Sequence, residues 1–173
     1  EAVFAALEKR EMTFDEALNK KAEFFANDEK KGRLGFLPLN QVKQQLRAKF
    51  LSVARERLAQ IGAALVSYGE RPADEALATD LMREIHTLKG EAKLVGFEEV
   101  NKVSHKTEEL LLHARELAPE ERGKVYGAVG RGLDVMAAIV ARESGDPSVE
   151  VDVAAYLAEA DAVRAEAVRS RAP

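Results

Sequence analysis

The sequence has no cysteine and no tryptophan in its 173 residues. The first absence removes disulfides, thiolate nucleophiles and cysteine zinc sites together. The second, with an aromatic fraction of 6%, leaves few stacking platforms for bases or sugars. No apolar run approaches the ~18 residues of a membrane span, so a transmembrane role is excluded. Neither charge sign dominates: 26 basic residues stand against 30 acidic ones, a net charge of −4. That balance argues against nucleic acid or an anionic membrane as a partner. Proline is scarce, at positions 38, 72, 119, 147 and 173. The chain opens at Glu1 with neither a methionine nor a basic leader followed by an apolar stretch. It therefore reads as a fragment of a longer cytoplasmic chain with no visible secretory signal.

What remains is helical material. Hydrophobic residues make up 46% and charged residues 32%, with 29 alanines, and the long proline-free stretches are rich in good helix formers. The internal prolines fall where such stretches should stop. From Val42 to Tyr68 the residues Val42, Leu46, Phe50, Val53, Leu58, Ile61, Leu65 and Tyr68 recur at three- and four-residue steps. Asn40 is the expected N-cap of that helix. A second helix is expected from Ala73 to Val95, with Leu77, Leu81, Ile85, Leu88, Ala92 and Val95 inward and Gly96 ending it. A third begins at Phe97 and turns Val100, Val103, Thr107, Leu110 and Ala114 inward. A fourth follows Pro119 through Val125, Val129, Leu133, Met136 and Val140, and Gly145-Asp146-Pro147 closes it. A weakly amphipathic fifth runs from about Val153 to Arg169 through Leu157, Ala160 and Val168.

Nothing alternates with period two, so the expected fold class is all-α: an up-down antiparallel four-helix bundle with an additional C-terminal helix. The expected division is an N-terminal helical extension over 1–40 and a bundle over 41–170. Within the bundle, 41–145 form the core and about 150–170 the fifth helix. In the extension, Thr13 and Glu16 read as a capping box. Leu34, Phe36, Leu37 and Leu39 form an apolar loop that packs on this bundle, a second copy or a missing partner.

The second helix carries the chemically suggestive residues. His86 shares a helix face with Met82, Lys89, Gly90 and Lys93, away from the core stripe. An outward neutral imidazole is a nucleophile at physiological pH. Lys89, one turn on, can stabilise the negative charge of a phosphoryl group on the ring. Gly90 costs the helix about 0.5–1 kcal/mol relative to alanine, which calls for a reason such as close approach of another surface. In the third helix, His105 and Glu108 lie three apart off the apolar stripe. If that face meets the second helix, Glu108 can accept a hydrogen bond from one nitrogen of His86 and fix its tautomer.

The run His86-Thr87-Leu88-Lys89-Gly90, then Ala92, Gly96-Phe97 and His105-x-x-Glu108-x-Leu110-Leu111 resembles a histidine phosphotransfer domain. It is most similar to the N-terminal domain of CheA-type chemotaxis kinases. The resemblance covers about residues 42–145. It implies that His86 is the phosphoacceptor, through Nε2, and that Glu108 holds Nδ1. Lys89 would stabilise the phosphoryl group, His105 would be a second histidine near the ring, and Gly90 and Lys93 would border partner docking. It also implies two partners, a histidine kinase catalytic domain and a response-regulator receiver domain. No cofactor is expected in this chain, because it shows no Walker loop or ATP lid and the ATP would belong to a separate kinase domain. Glu91 stands where the family often has a second glycine, which puts a carboxylate near the docking surface.

Two other classes compete. A helical-bundle metal enzyme would use His86, His105, Glu108 and His113, but bundle metal sites need an E-x-x-H order on facing helices and Lys89 would repel a cation. A non-catalytic scaffold leaves Gly90 beside His86 and Lys89 unexplained. His113 has no motif role and is expected at the surface. Gly130-Arg131-Gly132 lacks the strand and spacing of a nucleotide loop and reads as close helix packing or fraying.

Overall fold

A computed structural model describes residues 39–71, 74–118 and 122–169 of the chain. Five helices account for most of them: α1 Leu39–Glu70, α2 Glu75–Val95, α3 Glu98–Ala114, α4 Arg122–Glu143 and α5 Val153–Arg169. There is no strand among the described residues. The chain divides into two compact units after Lys49, and the bundle belongs to the second, residues 50–173. The expectations placed on residues 1–38 lie outside the described residues.

The α2–α3 corner follows from local chemistry. Asp74 caps α2 by accepting from the Leu77 N–H at 3.0 Å, while Glu75 and Lys93 complement the helix dipole at its two ends. Gly96 ends the helix at φ 78°, a left-handed conformation that glycine adopts freely. The next N–H, of Phe97, reaches back to Ala92 O at 2.9 Å, closing a Schellman turn. Phe97 itself stacks on Phe50 of α1, ring centroids 5.0 Å apart. So tight a turn folds α3 back along α2 as its antiparallel neighbour. That single corner sets α2 against α3, and the site lies on these two helices.

The core is one cluster in which α1 to α4 each contribute a stripe. Ile61, Leu81, Ile85, Leu88, Leu110, Met136 and Ile139 are all less than 2% exposed, each adding about 1.5–3 kcal/mol of burial before entropy. The stripes expected for α3 and α4 are buried as read. Three details differ. α1 already includes Asn40, so Asn40 is not its cap. Ala54, rather than Val53, faces the core, leaving Val53 38% exposed. On α5 the buried residues are Tyr156, Ala160 and Ala167, while Val168 is exposed.

α5 lies against α3 and α4. Tyr156 OH sits 3.1 Å from Thr107 Oγ1 in the interior. Lys106 bonds Asp161 at 2.9 Å, Arg164 approaches Glu109 at 3.5 Å, and Arg131 pairs with Glu159. Half-exposed ion pairs of this sort contribute about 0–1 kcal/mol each, so the buried Tyr156 and Ala160 hold the helix more than its charges do. Among the described residues no helix is long and apolar enough to cross a membrane.

Candidate functional site

His86 stands on the outer face of α2 with 53% of its side chain exposed. Its Nδ1 lies 2.8 Å from Oε1 of Glu108 on α3. Lys89, one turn further along α2, donates to the other oxygen, Oε2. Both oxygens of one carboxylate are thus engaged, one by the ring and one by the ammonium.

The protonation pattern follows from donor counting. Burial pushes the Glu108 carboxyl up, but hydrogen bonds from Lys89 and then His86, with their charges, outweigh it and hold the group below its usual value. Glu108 is therefore ionised at neutral pH and only accepts. The ring must donate from Nδ1, which in the neutral imidazole leaves Nε2 with the free lone pair. The stability that Glu108 contributes through this lowered value is present above its ordinary pKa. It is lost only as pH falls through the lower folded value.

The expected site residues are not all brought together. His86, Lys89 and Glu108 are. His105 instead places Nε2 3.5 Å from Glu109 Oε1, a one-turn pairing within α3. Glu109 also holds Lys106 at 2.7 Å and faces Arg164, so His105 belongs to the polar row between α3 and α5. His113, expected at the surface, is only 19% exposed. Its Nε2 is buried without a hydrogen-bond partner, and its Nδ1 is 3.8 Å from Glu116. Among the described residues, no three His, Asp or Glu side chains gather in a way that could hold a metal ion.

Gly90 and Lys93 are exposed on the His86 side of α2. A methyl group at Gly90 would meet nothing within 4 Å, so no packing inside the bundle requires this glycine. Gly90→Ala should accordingly stabilise the bundle by about 0.5–1 kcal/mol. In a thermal melt that is a rise of roughly 1–4 °C; an unchanged or lower midpoint would show that the fold itself needs the glycine. Glu91 is not loose beside it. Arg57 of α1 bridges Glu91 at 2.9 Å and Glu84 at 3.7 Å, which draws both carboxylates toward α1.

Sequence reasoning missed Asn101. Its side-chain amide crosses from α3 to donate to the backbone carbonyl of Lys89 at 3.0 Å. The available signal is its spacing of seven residues from Glu108, which places both on one face of α3.

The family model for the Hpt domain matches residues 45–142. A gliding motility regulatory protein of Myxococcus xanthus is 36% identical over 75 residues, 43% of this chain. The matched part is 10% of that protein, so the chain spans a small share of this relative's length. No solved structure matches.

Proposed function

This chain belongs to the Hpt domain family, and from that premise we propose that His86 is its phosphoryl carrier. In this reading Nε2 accepts a phosphoryl group from an ATP-binding histidine kinase domain. It then passes the group to an aspartate of a response-regulator receiver domain. The family makes the chain a phosphotransfer module of two-component signalling; the residue assignments, the partners and a CheA-type parent chain are the proposal.

The observation that carries it is the 2.8 Å bond between His86 Nδ1 and Glu108. In the forward step the Nε2 lone pair attacks the γ-phosphorus of ATP held by the kinase, and the bond from that phosphorus to the departing ADP oxygen breaks. The ring gains positive charge as the N–P bond forms. Glu108 already sits against Nδ1–H, so this charge develops beside a fixed anion without reorganisation. In the second step an aspartate oxygen attacks the phosphorus, the N–P bond breaks, and the electron pair returns to Nε2. Lys89 is within one turn of the ring and already ordered by Glu108. Its ammonium supplies a counter-charge for the phosphoryl oxygens. The exposed ring and the bare Gly90 surface leave room for a protein partner.

Incubation with a CheA-type kinase core and labelled ATP tests the reading. The expected product is one label per chain, released by acid and retained in base, as an N–P bond requires. No label, or an acid-stable one, would overturn it.

A further inference from the structure

We propose that Asn101 is a positioning residue for the phosphoacceptor, clamping α2 to α3 at the peptide between Lys89 and Gly90. The inference rests on His86 being the acceptor.

The bond itself is a half-buried one, from Asn101 Nδ2 to Lys89 O at 3.0 Å. An asparagine in the first turns of a helix ordinarily uses its side chain on nearby backbone of its own segment. Here the side chain crosses to the neighbouring helix instead, while the Asn101 backbone N–H is satisfied by Phe97 O at 3.0 Å. A carbonyl oxygen has two lone pairs, so Lys89 O can serve both the α2 ladder and Asn101.

The position of the clamp gives it its meaning. Gly90 follows directly, in mid-helix, where glycine is the least ordered choice and where no neighbour lies within 4 Å of its Cβ position. Asn101 grips the peptide unit leading into it. On α3, Asn101 and Glu108 lie two turns apart on one face, about 10.5 Å along the axis at 1.5 Å per residue. Lys89 is consequently held at both ends: its carbonyl by Asn101 and its ammonium by Glu108. His86 is one turn away. The buried stripe of Leu81, Ile85 and Leu88 sets the coarse rotation of α2, and two polar contacts at different heights trim that rotation against α3. That rotation decides whether Nδ1 meets Glu108 and Nε2 is the free nitrogen. The clamp also resists bending at Gly90 when a partner presses on that face.

The test uses the whole 173-residue chain with phosphoramidate as donor, a small molecule that bypasses partner docking, and reads the ring by ¹⁵N NMR. Asn101→Ala should slow labelling of His86 by roughly 3- to 10-fold, less than the ~10²-fold of a full 1 Å misplacement. It should also reduce the Nδ1–H tautomer population. Asn101→Gln, which keeps the amide, should recover part of both. Ile139→Val, a core change on α4, is the control: it should lower the melting temperature yet leave rate and tautomer as in the wild type. The inference is overturned if Asn101→Ala matches the wild type in both readouts, or changes them no more than the control does at equal loss of melting temperature. Failure to label the wild type counts against the His86 reading instead, and the ring spectrum then decides the role of Asn101 by itself.

Discussion

His86→Gln should abolish phosphoryl acceptance while shifting stability by no more than about 0.5 kcal/mol. The two halves of that expectation have separate causes. The ring is half exposed and outside the core cluster, so its removal opens no cavity. Glutamine is a good helix former, and its amide N–H can still donate to Glu108 and keep that carboxylate paired. What it lacks is a basic nitrogen lone pair, because the amide nitrogen is conjugated with its carbonyl. Chemistry is lost and the scaffold is kept. Two histidines would remain. His113 is only 19% exposed with its Nε2 buried, so His105, 59% exposed, is the more open to adventitious label. Its nitrogen faces Glu109 and lacks the Lys89–Glu108 arrangement. Label stoichiometry measured beside a circular-dichroism melt decides the matter: full labelling of the variant removes His86 from the mechanism, and residual labelling that disappears in a His86→Gln, His105→Gln double variant assigns the remainder to His105.

How much of this was legible in the sequence depends on what kind of information each feature needs. The stripes of α2, α3 and α4 are visible because large aliphatic residues recur at three and four and polar residues fill the gaps. α1 is less legible around Val53 and Ala54, two apolar residues side by side. There Ala54 falls at the four-residue step between the buried Phe50 and Leu58, while the larger Val53 is turned outward. In α5 alanine is nearly everywhere, so periodicity says little and the anchor is one aromatic, Tyr156. For the site, spacing placed His86 and Lys89 on one face, and the short Gly96 turn made α3 the neighbour that supplies Glu108. The partner choices of His105 and Asn101 were not legible. One residue step turns a helix by about 100°, and whether a polar side chain on α3 looks to α2 or to α5 depends on the rotation of the packed helix. Spacing gives relative directions along one helix and cannot give that absolute rotation. The partial burial of His113 was hidden for the same reason.

Gly132→Ala should cost the bundle about 1–3 kcal/mol, in the opposite direction to the gain expected at Gly90. Both glycines are helical, and exchanging either for alanine gains about 0.5–1 kcal/mol of helix propensity. The difference lies in what surrounds them. A Cβ at Gly132 would collide with Tyr156 OH and Thr107 Oγ1 and come within 2.9 Å of Tyr156 Cζ. Those atoms form the buried contact that docks α5. Thr107 has a single hydroxyl proton and donates it to Val103 O at 2.8 Å, so Tyr156 must donate to Thr107 across their 3.1 Å contact. The added methyl therefore overpacks the three-helix junction, at about 1–3 kcal/mol, and breaks a hydrogen bond that contributes about 1 kcal/mol. Propensity offsets roughly one of these. The melting temperature should fall by roughly 2–12 °C, taking 2–4 °C per kcal/mol for a chain of this size. Hydrogen exchange should show protection lost first in 153–169, with α2 and α3 retaining theirs. Tyr156→Phe removes the oxygen nearest the new methyl, so the double variant should be less destabilised than the sum of the singles by at least about 0.5 kcal/mol. Strict additivity would mean that the cost at Gly132 does not arise from Tyr156, and that α5 is held to the bundle by something other than this junction.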